Sequence, residues 1–315
     1  MLRFLLRRAL QSLPLLLLVS LLVFLLIHAA PGGPLAVYLS NPSVRPQDIE
    51  RLRHALGLDR PLWQQYFAWL AAFARGDWGY SFTDGRAVSE RIFDRLPASL
   101  ELVGASFVVS LALTLCAGIG AAVRRMGWFD RVTTALAFAG ISLPVFWLGL
   151  LLQMIFAVAL GWLPSAGRAT VGAGGPGDRL EHLVMPVIVL SFVQAASWSR
   201  FLRASMIDAL GRPFVLAAEA RGLSRARVIC RHALANALAP LVTVVLVDAA
   251  LVVSGAVVTE SVFAWPGIGS LFTEALARRD YSVLMALLML TSTAVVVLNV
   301  VADTAYAILD PRVRL

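Results

Sequence analysis

Leu13-Pro14-Leu15-Leu16-Leu17-Leu18-Val19-Ser20-Leu21-Leu22-Val23-Phe24-Leu25-Leu26-Ile27 decides the fold. The stretch carries no charge. It also lacks the apolar–polar alternation of an outward-facing barrel strand. It lies in a charge-free window, 9–44, and five more follow at 102–123, 132–167, 182–199, 232–247 and 281–302. A membrane helix takes about 20 mostly apolar residues. The 315-residue chain is 59% hydrophobic and 15% charged, against about 45–50% and 25% in a soluble domain. Its mean hydropathy is +0.79. The reading is all-α: a polytopic membrane protein with six transmembrane helices near Leu10–Ala29, Leu102–Val123, Val132–Leu160, Leu183–Trp198, Asn236–Val258 and Val283–Ala305.

The charges set orientation and exclude some chemistry. All 27 basic residues are arginine. A phosphate-cradling G-x-x-x-x-G-K-[ST] loop needs lysine, so if transport here is driven by ATP, the ATPase is a different polypeptide. Positive residues stay cytoplasmic. The N-terminal tail has Arg3, Arg7 and Arg8 and no acid. The loop 124–131 has three arginines and one acid, and the loop 199–235 has seven against Asp208 and Glu219. Residues 30–101 are balanced, with eight of each sign. Both termini are therefore expected inside, with 30–101, 161–182 and 259–282 outside. Because the excess charge lies beside spans, the net +8 is not read as nucleic-acid binding. The basic start resembles a signal peptide, but the apolar run is too long and His28 interrupts the cleavage pattern, so a retained anchor is expected. Cys116 and Cys230 fall in different surroundings, and His28, His54, His182 and His232 are isolated. Neither a disulfide nor a metal site is expected.

The outer segment reads as helical. Pro46 to Leu56 places Ile49, Leu52 and Leu56 on one side, with Gly57 after its end. Leu62, Tyr66, Trp69 or Leu70, and Phe73 then recur at helical spacing. Two compatible readings stand: an interfacial helix packed on the spans, or a docking platform for an outside partner. Pro144 inside span three, and Pro186 and Pro240 near the starts of spans four and five, are expected kinks. They serve either packing or the walls of a substrate path. Gly172, Gly174 and Gly177 match G-x-G-x-x-G, but without a strand–helix unit they read as a loop.

The loop 199–235 is the most informative stretch. One helix stops at Gly211, and Pro213 starts a short one, Phe214–Arg221, with small Ala217, Ala218 and Ala220. Gly222 ends it where a left-handed residue is needed, and Ser224 is placed to cap the next helix. Such a projecting hairpin suits a cleft on a cytosolic partner. The alternative is an ordinary basic loop lying on the membrane surface.

Ala217-Ala218-Glu219-Ala220-Arg221-Gly222-Leu223, followed by Arg231-His232-Ala233-Leu234-Ala235-Asn236-Ala237, resembles the EAA loop of ABC importer permeases. The narrower resemblance is to the B-type permease subunit of the dipeptide/oligopeptide/nickel group. It extends to Leu56-Gly57-Leu58-Asp59-Arg60-Pro61-Leu62, Gly76-Asp77-Trp78-Gly79 and Arg95-Leu96-Pro97-Ala98-Ser99-Leu100-Glu101-Leu102. Further on it takes in Leu143-Pro144-Val145-Phe146-Trp147-Leu148-Gly149, Gly161-Trp162-Leu163-Pro164, Glu260-Ser261-Val262-Phe263-Ala264-Trp265-Pro266-Gly267-Ile268-Gly269 and Leu309-Asp310-Pro311-Arg312-Val313-Arg314. Leu216 stands where the wider importer class has its leading Glu, and Ala235 where that class often has Pro.

The resemblance implies a bacterial inner-membrane, binding-protein-dependent importer for di- or oligopeptides, with glutathione and nickel chelates as alternatives. It implies a second, homologous permease subunit, two cytoplasmic ATPase subunits that hold the ATP and Mg, and an extracytoplasmic substrate-binding protein. No cofactor and no catalytic residue belong to this chain, whose remaining partner is membrane lipid. The organisation expected is a tail and first span (1–29), a periplasmic helical segment (30–101) and a five-helix permease core (102–315). Leu216, Ala217, Ala218, Glu219, Ala220, Arg221, Gly222, Leu223 and Ser224 are the expected coupling element between spans four and five. Asp248 is the one acid well inside an apolar span, a departure from the family's mostly uncharged pattern, and costs about 2.5–3.5 kcal/mol to insert. It either faces the path and meets a cationic substrate group or has a local partner such as Thr243, Ser254 or a neighbouring subunit. Glu260, Trp265, Pro266 and Gly267 shape an outer gate or touch the binding protein. Two rivals are weaker. An ion-coupled secondary transporter needs several intramembrane charges or matching halves, and a membrane enzyme needs clustered His, Asp, Glu or Cys.

Overall fold

The computed structural model describes the backbone of residues 2–35, 39, 45–55, 57–172 and 174–309. Among these residues there is no strand, only an isolated bridge between Tyr80 and Ala87. The helices are α1 (Leu2–Ala29), α2 (Pro46–Ala55), α3 (Leu62–Ala74), α4 (Val88–Val123), α5 (Trp128–Ser142), α6 (Val145–Leu152), α7 (Pro176–Leu210), α8 (Pro213–Ala220), α9 (Leu234–Val262), α10 (Ile268–Ala277) and α11 (Tyr281–Leu309). Wider π-type turns, Gln153–Ala159 and Val228–Ala233, follow α6 and precede α9. The spans at Leu10–Ala29, Val88–Val123, Pro176–Leu210, Arg225–Leu246 and Tyr281–Thr304 are each long and apolar enough to cross a membrane. The span expected at Val132–Leu160 is not one rod. It is two helices, α5 and Val145–Ala159, bent by 107°. Pro144 supplies no N–H, and its ring forces Leu143 into an extended conformation (φ −86°, ψ 129°), which ends α5. Six spans result only if this pair counts as one. Pro186 and Pro240, by contrast, lie within continuous α7 and α9.

The chain forms two compact units, Met1–Pro97 with Gly267–Val297, and Ala98–Pro266 with Leu298–Leu315. In the first, α3 lies on α1. Tyr66 is buried among Val23, Phe24 and Ile27, and its hydroxyl bonds Ser20 Oγ at 2.8 Å. The other face of α3 leaves Trp63 and Phe67 exposed. The helix expected from Pro46 is present, although Leu56 lies outside the described residues. The His54 imidazole donates to Asp59 between α2 and α3 and holds that carboxyl below its usual pKa. A second anchor is a buried polar cluster. Ser81 and Thr83 hydroxyls donate to the fully buried Asp280 carboxylate, and Arg91 donates to both Ser81 and Asp280.

The second unit is organised around α7. Small residues let neighbours approach it closely. A Cβ on Gly140 of α5 would meet Ala196 at 2.7 Å, and one on Gly118 of α4 would meet Leu202 at 2.9 Å. Trp198, Leu202 and Met206 of α7 share a core with Ala237, Leu241 and Val245 of α9. Asp130 at the start of α5 takes Arg203 Nε at 2.5 Å and Nη2 at 2.8 Å, tying the 124–131 loop to α7.

Candidate functional site

The hairpin joining α7 to α9 is built from its own local sequence. Proline cannot continue a helix but starts one well, so Pro213 opens α8 after the break at Gly211 and Arg212. Gly222 closes it at φ +76°. Its N–H donates to the Glu219 carbonyl at 2.9 Å, and the Leu223 N–H donates to the Ala218 carbonyl at 3.4 Å. That pair of bonds is the Schellman arrangement, and its usual apolar clasp is present: Val215, Ala218 and Val228 are buried with Leu223 against them. Arg221 Nε donates to the Ala217 carbonyl, which also accepts the Arg221 backbone N–H. Ser224 occupies the N-cap position with extended backbone, but its side chain makes no capping bond. The Ser224 carbonyl instead accepts from Val228 N at 3.0 Å, and the wide turn 228–233 carries the chain into α9.

Of the expected coupling residues, Ala218 is buried and Leu223 half-buried. Leu216, Ala217, Glu219, Ala220, Arg221, Gly222 and Ser224 are exposed, with Leu216 at 64%. The hairpin thus has a buried hinge side and a presented side on which a leucine stands among small residues. It joins the two helices that share the Trp198–Leu241 core.

Asp248 is half-buried on α9, and Trp198 Nε1 donates to its Oδ2 at 2.8 Å. Trp198 itself is fully buried and edge-on to Phe107. Thr243 is turned to the Ala239 carbonyl instead, and the Ser254 side chain lies outside those described. Sequence reasoning missed Trp198. It stands 50 residues from Asp248, and no local pattern joins them.

The turn at 260–265 is tightly packed. Glu260 is 1% exposed and accepts from Ser99 Oγ at 2.5 Å. Trp265 is fully buried, its N–H bonded to the Glu260 carbonyl and its indole N–H to the Ala98 carbonyl, both at 2.8 Å. Between them Ala264 takes φ +45°. Gly167 N–H donates to the Phe263 carbonyl and Gln153 Nε2 to that of Val262. Pro266 is half-buried, and Gly267 belongs to the first unit as the N-cap of α10. Among the described residues no group of His, Cys, Asp and Glu could hold a metal ion.

Comparison with known proteins gives these features a family. The family model described as the binding-protein-dependent transport system inner membrane component matches residues 114–315, and the model of its N-terminal membrane component matches 1–103. The oligopeptide transport system permease protein AppB of Bacillus subtilis (strain 168) is 37% identical over 313 residues, 99% of each chain. The glutathione transport system permease protein GsiC of Escherichia coli (strain K12) is 38% identical over 314 residues, 100% of this chain and 99% of its own. An inward-facing structure of the MetNI methionine ABC transporter shares the fold. Its TM-score is 0.56 at 17% identity, over 70% of this chain and 96% of that one. In this family the ATPase lies on separate subunits, so the chain is a transport component and not an enzyme. The protein belongs to the binding-protein-dependent transport system inner membrane components, the multi-pass permease subunits of ABC transporters.

Proposed function

We propose that this permease subunit carries di- or oligopeptides, or glutathione, inward across the membrane. The carrying observation is the α8 hairpin: a turn locked by Gly222, with Leu216, Ala217, Glu219 and Ala220 presented outward and its roots in α7 and α9. On this reading Leu216 to Ser224 seat in a cleft of a cytoplasmic ATPase subunit, and two such ATPases hold the ATP and Mg. A second, homologous permease completes the path, and a binding protein delivers substrate from outside. Drawing the ATPases together moves each docked hairpin and rocks the spans between two states. Coupling is the difference in contact free energy between those states. The arginine excess supports both termini and the hairpin inside and 30–101 outside. The same division separates a first span (1–29), an outer segment (30–101) and a permease core (102–315). The test is to purify the chain from its native membrane. Two ATPases that co-elute, and are lost with Gly222→Val while the chain stays folded, support it. Co-elution unchanged by that substitution refutes the hairpin as the grip.

The relatives named for oligopeptide and for glutathione are almost equally similar, so identity does not choose between them. Both solute classes carry a free amino group. Asp248 is the acid we assign to meet it, with Trp198 holding one carboxylate oxygen. Asp248→Asn keeps an acceptor for Trp198 and removes the charge, so uptake of substrates with a free amino terminus falls while their N-acetylated forms are unaffected. Equal uptake of both by variant and wild type ends that assignment. We read Glu260, Trp265, Pro266 and Gly267 as the wall of an outer gate. The burial of Glu260 and Trp265 supports this over contact with the binding protein.

A further inference from the structure

A groove in the second unit follows α4, α5 and α7. Its wide part is a cavity of about 210 Å³ whose lining includes Leu113, Ala117, Leu136, Ala137 and Phe192. Leu113 and Leu136 are 43% and 51% exposed. The two hydroxyls in its wall are already bonded, Thr133 to the Phe129 carbonyl and Ser199 to that of Ala196. Nothing in this part asks for a polar guest. Ala117, Thr133, Ala137 and Ser199 continue into a narrower stretch that ends at Arg200 and Arg203.

The charges at that end do not cancel. Arg203 is held by Asp130, and that carboxylate also accepts from the Met126 N–H. The acid of the 124–131 loop is thereby taken. Arg200 is exposed, its guanidinium 4.8 Å from the Phe138 ring centroid. Arg131, one turn before Thr134, and Arg124 and Arg125, just past the end of α4, are exposed too. Among the described residues none of these four has an acidic partner within 4 Å. An apolar slot therefore runs into a surplus of positive charge, and on the orientation proposed above, with 124–131 inside, that end lies where a bilayer changes from tails to headgroups.

We propose that this groove holds one anionic phospholipid, an acyl chain in the slot and the phosphate on Arg200, with the loop arginines around the headgroup. Basic pockets between spans suit anionic headgroups, and each arginine near the surface contributes about 1 kcal/mol, a factor of about five in occupancy. A protein partner fits less well. Another multi-pass chain in the same membrane carries its own basic residues at this level, so it would set like charge against like.

The test is native mass spectrometry of the detergent-purified transporter complex containing this chain, incubated with phosphatidylglycerol or with phosphatidylcholine of the same acyl chains. Phosphatidylglycerol is retained in preference. Arg200→Gln lowers its bound fraction about fivefold without reducing phosphatidylcholine. Leu136→Trp, on an exposed position, fills the slot and lowers both. The proposal is overturned if wild type retains the two lipids equally, if neither substitution changes retention, or if Leu136→Cys cross-links to a second permease subunit in membranes.

Discussion

The Pro213–Gly222 hairpin and the 260–265 turn are both short segments at helix ends, and they are built on opposite principles. In the hairpin, Pro213–Gly222, most side chains are exposed, and stability comes from a left-handed glycine and a four-residue apolar clasp. In the 260–265 turn the largest residues are buried, and Glu260 and Trp265 place their polar atoms on Ser99, Ala98 and each other. A surface meant to be gripped must leave its side chains unpartnered. A joint meant to keep its shape must satisfy them internally. The two turns differ in what they offer, not in how tightly the backbone bends.

That contrast can be broken or sharpened by substitution. Trp265→Ala removes a fully buried indole and the bond to Ala98, so a loss of about 3–5 kcal/mol is expected, read as a large drop in the melting point of the purified complex. A small drop would mean the 260–265 turn is not a fixed joint. Ser99→Ala leaves Glu260 without that donor while buried, for about 1–3 kcal/mol, again by thermal melting. Gly222→Val puts a β-branched residue at φ +76° and costs about 1–2 kcal/mol. Here the melting point shifts little, whereas substrate-stimulated ATPase activity of the complex falls at least tenfold. Leu216→Ala touches no buried contact, so stability stays within about 0.5 kcal/mol. Activity nevertheless drops severalfold, and a Leu216→Ala complex with full ATPase coupling would place the grip elsewhere on the hairpin.

How legible each region was follows the same division. The spans were visible because lipid-facing sequence has to be apolar wherever it runs. The stop at Leu210 and the turn at Gly222 were visible because proline and glycine impose local backbone geometry regardless of context. Four features were not visible. Pro144 read as a kink, whereas a 107° bend also depends on what the departing helix packs against: a Cβ on Gly149 would lie 3.1 Å from Val262. Ser224 had the right residue type for a cap, but its carbonyl rather than its hydroxyl serves the next turn. The Trp198–Asp248 bond and the Ser81–Arg91–Asp280 cluster join residues 50 to almost 200 positions apart, and tertiary pairing of that kind leaves no periodic trace in one sequence.

The hairpin glycine has one more consequence. A Cβ built on Gly222 in the ordinary L configuration meets no atom within 4 Å, so what opposes an L side chain there is handedness and not crowding. A mirror-image alanine installed there by semisynthesis removes that penalty of handedness and narrows the unfolded ensemble, leaving the loop stiffer than nature made it, while ordinary L-alanine at the same place loosens it.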